Sequence, residues 1–284
     1  MSKKTTTAME DRNLPPNHIK WMAAGFFALA IILFFGARSL SAGKVSLTPK
    51  IMQRGWYQQK NCAPADEGHV NECLCKADIV GVTIKDDNKK AATKMQATLD
   101  ERTPQPSAAE NEAADSMSGW CGGEKVSKNP PESTIANEES FKWKRVYESK
   151  AVLTMLSQFY SYGAGAAHGM SGEDGITFWK KTGKVIEPLK LASDGAIEAA
   201  NDFIANEFRT ALKDQLFDET LSSAKPILTR EGCDGCMLYY VEAGWNVQFS
   251  LYSVGPYSSG LIEITLPKDI FPPPTALVAN TKRV

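Results

Sequence analysis

The sequence is poor in histidine and lacks the short motifs that mark several large enzyme classes. Only three of its 284 residues are histidine, His18, His69 and His168. No HExxH, GxSxG or GxxxxGK[ST] element occurs, so zincin, serine-hydrolase and P-loop chemistry lack their defining residues. A net charge of -1 and the lack of a Lys/Arg run beside stacking aromatics exclude the usual footprint of a nucleic-acid binder. No internal repeat is visible. What is present is a 43% hydrophobic chain, enough to build a core in one large or two ordinary domains. The expectation is a protein without cofactor, metal or catalytic residue.

One long apolar run stands out. Trp21 to Ala37 (WMAAGFFALAIILFFGA) carries no charged side chain, and as a helix it would reach roughly 26 Å, about a hydrocarbon core. It is apolar all round, whereas a core helix keeps a polar stripe. Residues 21–38 are therefore read as a transmembrane signal anchor behind a cytoplasmic tail, 1–20, with Ser39-Leu40-Ser41 as a less favoured cleavage site. Lys3, Lys4, Arg12 and Lys20 on one flank are matched by Arg38, Lys44, Lys50 and Arg54 on the other, so flanking charge leaves orientation nearly tied. Cysteine breaks the tie. Cys62, Cys73, Cys75, Cys121, Cys233 and Cys236 all follow the run and none precedes it, which favours an oxidising compartment for the large part.

The same cysteines are expected in disulfides. Cys233-Asp-Gly-Cys236 has the CxxC spacing of redox proteins, but it precedes a strand pattern, not the helix that lowers a reactive thiol's pKa; a structural bridge across the Asp-Gly turn is expected. Cys121 is expected to pair back into the Cys62, Cys73, Cys75 cluster. Zinc on Cys62, His69, Cys73 and Cys75 is disfavoured, because Cys73-x-Cys75 is tighter than a zinc knuckle.

Residues 44–85 read as a small cysteine-containing subdomain with a buried strand at Ile79 to Ile84. Residues 86–140 read as a flexible linker or loop, since Thr103 to Asp115 has too few apolar residues to offset ordering entropy. Residues 141–275 read as one α+β domain followed by a tail, 276–284. Ala151 to Tyr162 predicts a long strand, and Lys181-Thr-Gly-Lys184 a hairpin turn between Ile176–Lys180 and Val185-Ile186. Ser193 is placed to cap a helix with Ile197, Ala200, Ile204, Phe208, Leu212 and Leu216 on one face. Trp245, Val247, Phe249 and Leu251 alternate with Asn246, Gln248, Ser250 and Tyr252, as do Ile262, Ile264 and Leu266 with Glu263 and Thr265, predicting strands with one buried face each. The fold class expected is a largely antiparallel sheet with one main amphipathic helix packed on it.

Two segments of this domain are distinctive together: Tyr162-Gly-Ala-Gly-Ala-Ala-His-Gly169 followed by Thr182-Gly183-Lys184, and Phe249-Ser-Leu-Tyr-Ser-Val-Gly-Pro-Tyr-Ser-Ser-Gly260 before an apolar strand. Over roughly Phe141 to Phe271 the chain resembles the extracytoplasmic domain of RsiV-type anti-sigma factors, a domain that also accompanies some peptidoglycan deacetylases. Ala166 stands where that family's first motif usually has a second glycine. The resemblance implies a bacterial cytoplasmic-membrane protein with a periplasmic binding module for cell-wall glycan or a lysozyme-like protein. It does not carry deacetylase chemistry, since too few histidines follow the anchor to supply about three metal ligands. His168 lies in a glycine-rich loop that admits close approach, and its ring either hydrogen-bonds neighbouring loop carbonyls to hold the turn, the reading favoured here, or contacts a ligand, with Glu173 and Asp174 placed where they could orient it. Gly165, Gly169, Tyr162, Trp179 and Tyr257 complete the candidate binding set, the flat faces of Trp143 and Tyr160 being further sugar-stacking candidates. The alternatives are a wall-acting enzyme around His168 and a structural component of an envelope complex.

Overall fold

The computed structural model describes residues 44–58, 74–104, 121, 124–128, 130, 137–163, 166–223 and 225–281. The apolar run 21–38, Cys62, His69, Cys73 and Gly165 lie outside them, and among the described residues no helix is long and apolar enough to cross a membrane. The chain divides after Gly43 into two units, the second running from Lys44 to Val284.

This unit is α+β. In chain order it runs β1 (Ser46–Gln58), β2 (Leu74–Lys85), α1 (Lys89–Arg102), β3 (Glu124–Lys125), β4 (Asn137–Glu148), β5 (Val152–Tyr162), β6 (Met170–Trp179), α2 (Pro188–Leu191), α3 (Asp194–Thr210), α4 (Asp218–Ser222), β7 (Cys236–Tyr240), β8 (Gly244–Phe249), β9 (Ile262–Pro267) and α5 (Pro274–Thr281). Six strands form one sheet in the order β3-β1-β2-β4-β5-β6, and β7-β8-β9 form a second. All neighbours are antiparallel except β2 and β4, which are parallel. The strands of 44–85 and those from 141 onward thus share a sheet.

A parallel pair needs a crossover, and α1 is part of it. Asn88 caps it by accepting a hydrogen bond from the Ala91 N–H, and Ala91, Ala92, Met95 and Leu99 are buried with Leu153, Met155, Ile176 and Phe178. This helix falls in the stretch read as a linker. Its apolar stripe is so thin, two alanines, a methionine and a leucine, that low hydropathy hid it.

The other face of β5 and β6 meets the second sheet. Ser193 caps α3 as expected, accepting from the Ala196 N–H, and Ile197, Ala200, Ile204 and Phe208 pack with Trp245, Val247, Phe249 and Ile264. The helix ends at Thr210, however, so Leu212 and Leu216 follow it on a separate turn. Residues of β8 are buried on both sides, not one. Asn246 and Gln248 face a polar layer: Gln248 Nε2 donates to Glu173 (2.8 Å), and Asn246 Nδ2 donates to the Tyr239 hydroxyl, which donates to Glu263. The alternation was legible, but the polar face is covered by the neighbouring sheet instead of water.

Strand directions give the large sheet two ends. At one, β1 begins, β2 and β4 finish, β5 begins and β6 finishes. There the Glu148 carboxylate accepts from the Val45 N–H (2.7 Å) and from Lys180 Nζ (2.7 Å), and pairs with Arg145, whose guanidinium also donates to the Val45 carbonyl. Burial alone would raise this carboxyl, but Lys180, the Val45 N–H and Arg145 together hold it below the usual carboxylate range. At the other end lies the loop between β5 and β6.

Candidate functional site

The loop from β5 to β6 and the loop from β8 to β9 meet. Gly169 is buried, with the tip of the Tyr160 ring packed in the space a Cβ would take. Its carbonyl accepts from the Tyr257 hydroxyl (2.8 Å) and from His168 Nδ1 (3.1 Å). The His168 ring stacks on Tyr257, centroids 3.9 Å apart and planes at 21°. Tyr252 reaches the other ring nitrogen, its hydroxyl 3.2 Å from His168 Nε2, and its ring lies 5.9 Å from that of Tyr257. With Nδ1 donating to a carbonyl, Nε2 is the acceptor for the Tyr252 hydroxyl in the neutral imidazole.

Tyr252 is 47% exposed. It is the only non-glycine residue with positive φ (64°) among the described residues, a conformation that costs an ordinary side chain of order 1 kcal/mol and persists where surroundings enforce it. Ser253 helps enforce it, its N–H and hydroxyl both donating to the Ser250 carbonyl. Phe159 (39% exposed), lying over Gly172, and Met170 (38%) are on the α1 face of β5 and β6 and stand apart from this cluster. The site is thus an aromatic surface centred on His168, Tyr252 and Tyr257.

The structure brings together His168, Gly169 and Tyr257 of the expected set and adds Tyr252. That tyrosine sat inside a distinctive segment but was read only as the outward residue of an alternating strand. Tyr162 is half-buried at the end of β5, opposite Glu138. Trp179 lies at the far end of β6, opposite Val152, and belongs to the α3 core. Trp143 is also core, donating to Thr103 Oγ1. Glu173 and Asp174 do not orient His168. Glu173 accepts from Gln158 and Gln248 and lies 3.5 Å from Lys144 Nζ, while Asp174 pairs with Arg102.

Cys75 is bonded to Cys121 (Cα–Cα 5.4 Å) and Cys233 to Cys236 (5.3 Å), the latter across Gly235 at φ +65°. Cys75, Cys121 and Glu139 put ligand-type atoms within 4.8 Å of one another, but sulfurs joined in a disulfide are not thiolate ligands. Burial pushes the Glu139 carboxyl up to about 7, against the opposing hydrogen bond from the Cys121 N–H. An open groove of about 920 Å³ runs along α3, lined by Asp194, Glu198, Asp202 and Arg209 of that helix and by Lys225 and Arg230, the last paired with Asp194.

No protein-family profile and no curated protein matches the sequence. Among solved structures, a DUF3298 family protein from Pseudomonas aeruginosa aligns at 13% identity with a TM-score of 0.46, covering 81% of this chain and 93% of that one. A DUF3298 family member from Bacteroides fragilis aligns at 14% identity with a TM-score of 0.51, covering 81% and 92%. The chain therefore shares the fold of the Bacteroides fragilis protein.

Proposed function

We propose that this is a non-catalytic, membrane-anchored protein of the bacterial envelope that binds cell-wall glycan on the His168, Tyr252 and Tyr257 surface, as a member of the RsiV-like domain class. The observation that carries the reading is the meeting of the two distinctive segments: His168 of the first is held by Tyr252 and Tyr257 of the second. Flat, partly exposed rings suit the C–H faces of sugars, with hydroxyls at their rims for orientation. Binding is favoured over catalysis because both imidazole nitrogens have neighbours in the platform itself, and neither nearby acid is turned toward the ring. Glycan is favoured over a lysozyme-like protein because three rings cover far less than the roughly 800 Å² a stable protein partner occupies. The two disulfides fit an oxidising compartment.

The test is to incubate the full chain, in detergent micelles, with purified sacculi, then assay the pellet for protein and the supernatant for released or modified sugars. Retention without product is expected, with retention reduced in Tyr252→Ala. Product formation abolished by His168→Ala would replace this reading with an enzymatic one.

A further inference from the structure

The end of the large sheet opposite the platform is rich in lysine. Lys44 precedes β1, Lys85 closes β2 opposite Ser46, and Lys89 and Lys90 open α1. Asn88 donates to the Lys181 carbonyl, and Gly183 packs on the Ala91 carbonyl, which bring the Lys181–Lys184 turn beside them. Lys44, Lys85, Lys89, Lys90, Lys181 and Lys184 are all exposed, and none forms an ion pair among the described residues. Against them stand Asp86 and Asp87; Glu148 is already neutralised by Lys180 and Arg145. Farther along β1 and β2, Arg54 pairs with Asp78 and Lys76 with Glu138. Six exposed lysines thus gather at one end, whereas Lys125 and Lys142 are exposed singly elsewhere on the sheet.

We propose that this lysine end is a docking surface for the anionic headgroups of a lipid bilayer. The inference rests on the membrane-anchored reading in one respect. Only residues 38–44 separate the apolar run from Val45, and seven residues reach at most roughly 25 Å when extended. Val45 is in turn fixed to the sheet by Glu148 and Arg145. A bilayer holding the anchor keeps the lysines within reach of its surface, where clustered Lys side chains are attracted over about a Debye length, roughly 8 Å at physiological salt. The partner class follows from the charge, and the consequence follows from β5, whose 11 residues span roughly 35 Å. Docked at its lysine end, the sheet holds the aromatic platform away from the bilayer, toward the wall.

The full chain is reconstituted into vesicles of phosphatidylcholine alone or with phosphatidylglycerol, and exposed lysines are acetylated with a membrane-impermeant reagent. Peptide mass spectrometry gives the rates at Lys89 and Lys90 relative to Lys76 and Lys125. At least threefold slower relative labelling in the anionic vesicles is expected, reversed by 1 M salt and absent in Lys89→Glu/Lys90→Glu vesicles when read at Lys85 and Lys181. Equal rates in both vesicles, with the protein resisting carbonate extraction, overturn the docking surface and leave the anchor standing. Loss of the protein to carbonate overturns the anchor, and salt-sensitive protection in that case still upholds the surface.

Discussion

His168 and Tyr257 lie face to face, 3.9 Å between ring centroids, while the Tyr257 hydroxyl donates to the carbonyl of Gly169, the next residue after the histidine. One side chain thus fixes both the ring and the backbone of the neighbouring loop. Tyr257→Phe keeps the stack and loses the bond, so it is expected to cost about 1 kcal/mol in urea unfolding with sacculus retention close to wild type. Tyr257→Ala removes the stacking surface and is expected to lower retention severalfold in the pelleting assay.

Gly175 is where β7 crosses close over β6. A methyl there would sit 2.7 Å from the Tyr239 Cβ, an atom that moves only with its own backbone. Gly175→Ala is expected to destabilise the chain by about 1–3 kcal/mol, read as a lowered urea midpoint. An unchanged midpoint would mean the two layers are not packed this tightly.

Glu139 gives a pH dependence of defined sign. Its carboxyl is raised from the usual 4.5 to about 7, chiefly by burial. Between those values the folded chain holds a proton that the unfolded chain has released, so stability falls as pH rises through that window and levels off above it. The full shift corresponds to about 3 kcal/mol. Subtracting the pH profile of urea stability of Glu139→Gln from that of the wild type should isolate this fall, and superimposable profiles would contradict it.

The Cys75–Cys121 bridge closes a loop with a sequence separation of 46. On the loop-entropy model this constrains the unfolded chain by about 4 kcal/mol. Cys121→Ser is expected to lower stability by that order, measured against denaturant. Alkylation of the purified, unreduced chain should leave Cys75, Cys121, Cys233 and Cys236 unmodified.

Much of the second half of the fold was legible because its signals are local. Ser193 with the Ile197, Ala200, Ile204 and Phe208 spacing announced α3, and the Trp245, Val247, Phe249 alternation announced β8. What was not legible depends on neighbours distant in sequence. Asn246 and Gln248 look like solvent-facing residues until the large sheet covers them. Met95 and Leu99 are too sparse to mark α1 without the Leu153 and Phe178 side chains they lie among. Of the candidate site residues, His168 and Tyr257 were singled out from separate segments, and the structure brings their rings together. Trp179 was a misplaced partner, because a strand of 10 residues carries its two ends far apart. The left-handed turn at Tyr252 has no glycine to signal it.

The scarcity of histidine supplies the most direct test of the glycan platform. With only His18, His69 and His168 in the chain, imidazole proton resonances can be assigned by three single substitutions and followed by NMR as soluble peptidoglycan disaccharide oligomers are added to the full chain in micelles. The account predicts saturable shifts of the His168 resonances, unchanged His18 and His69 resonances, and loss of the response in Tyr252→Ala. A chain that pellets with sacculi while the His168 resonances stay fixed through saturation would contradict it.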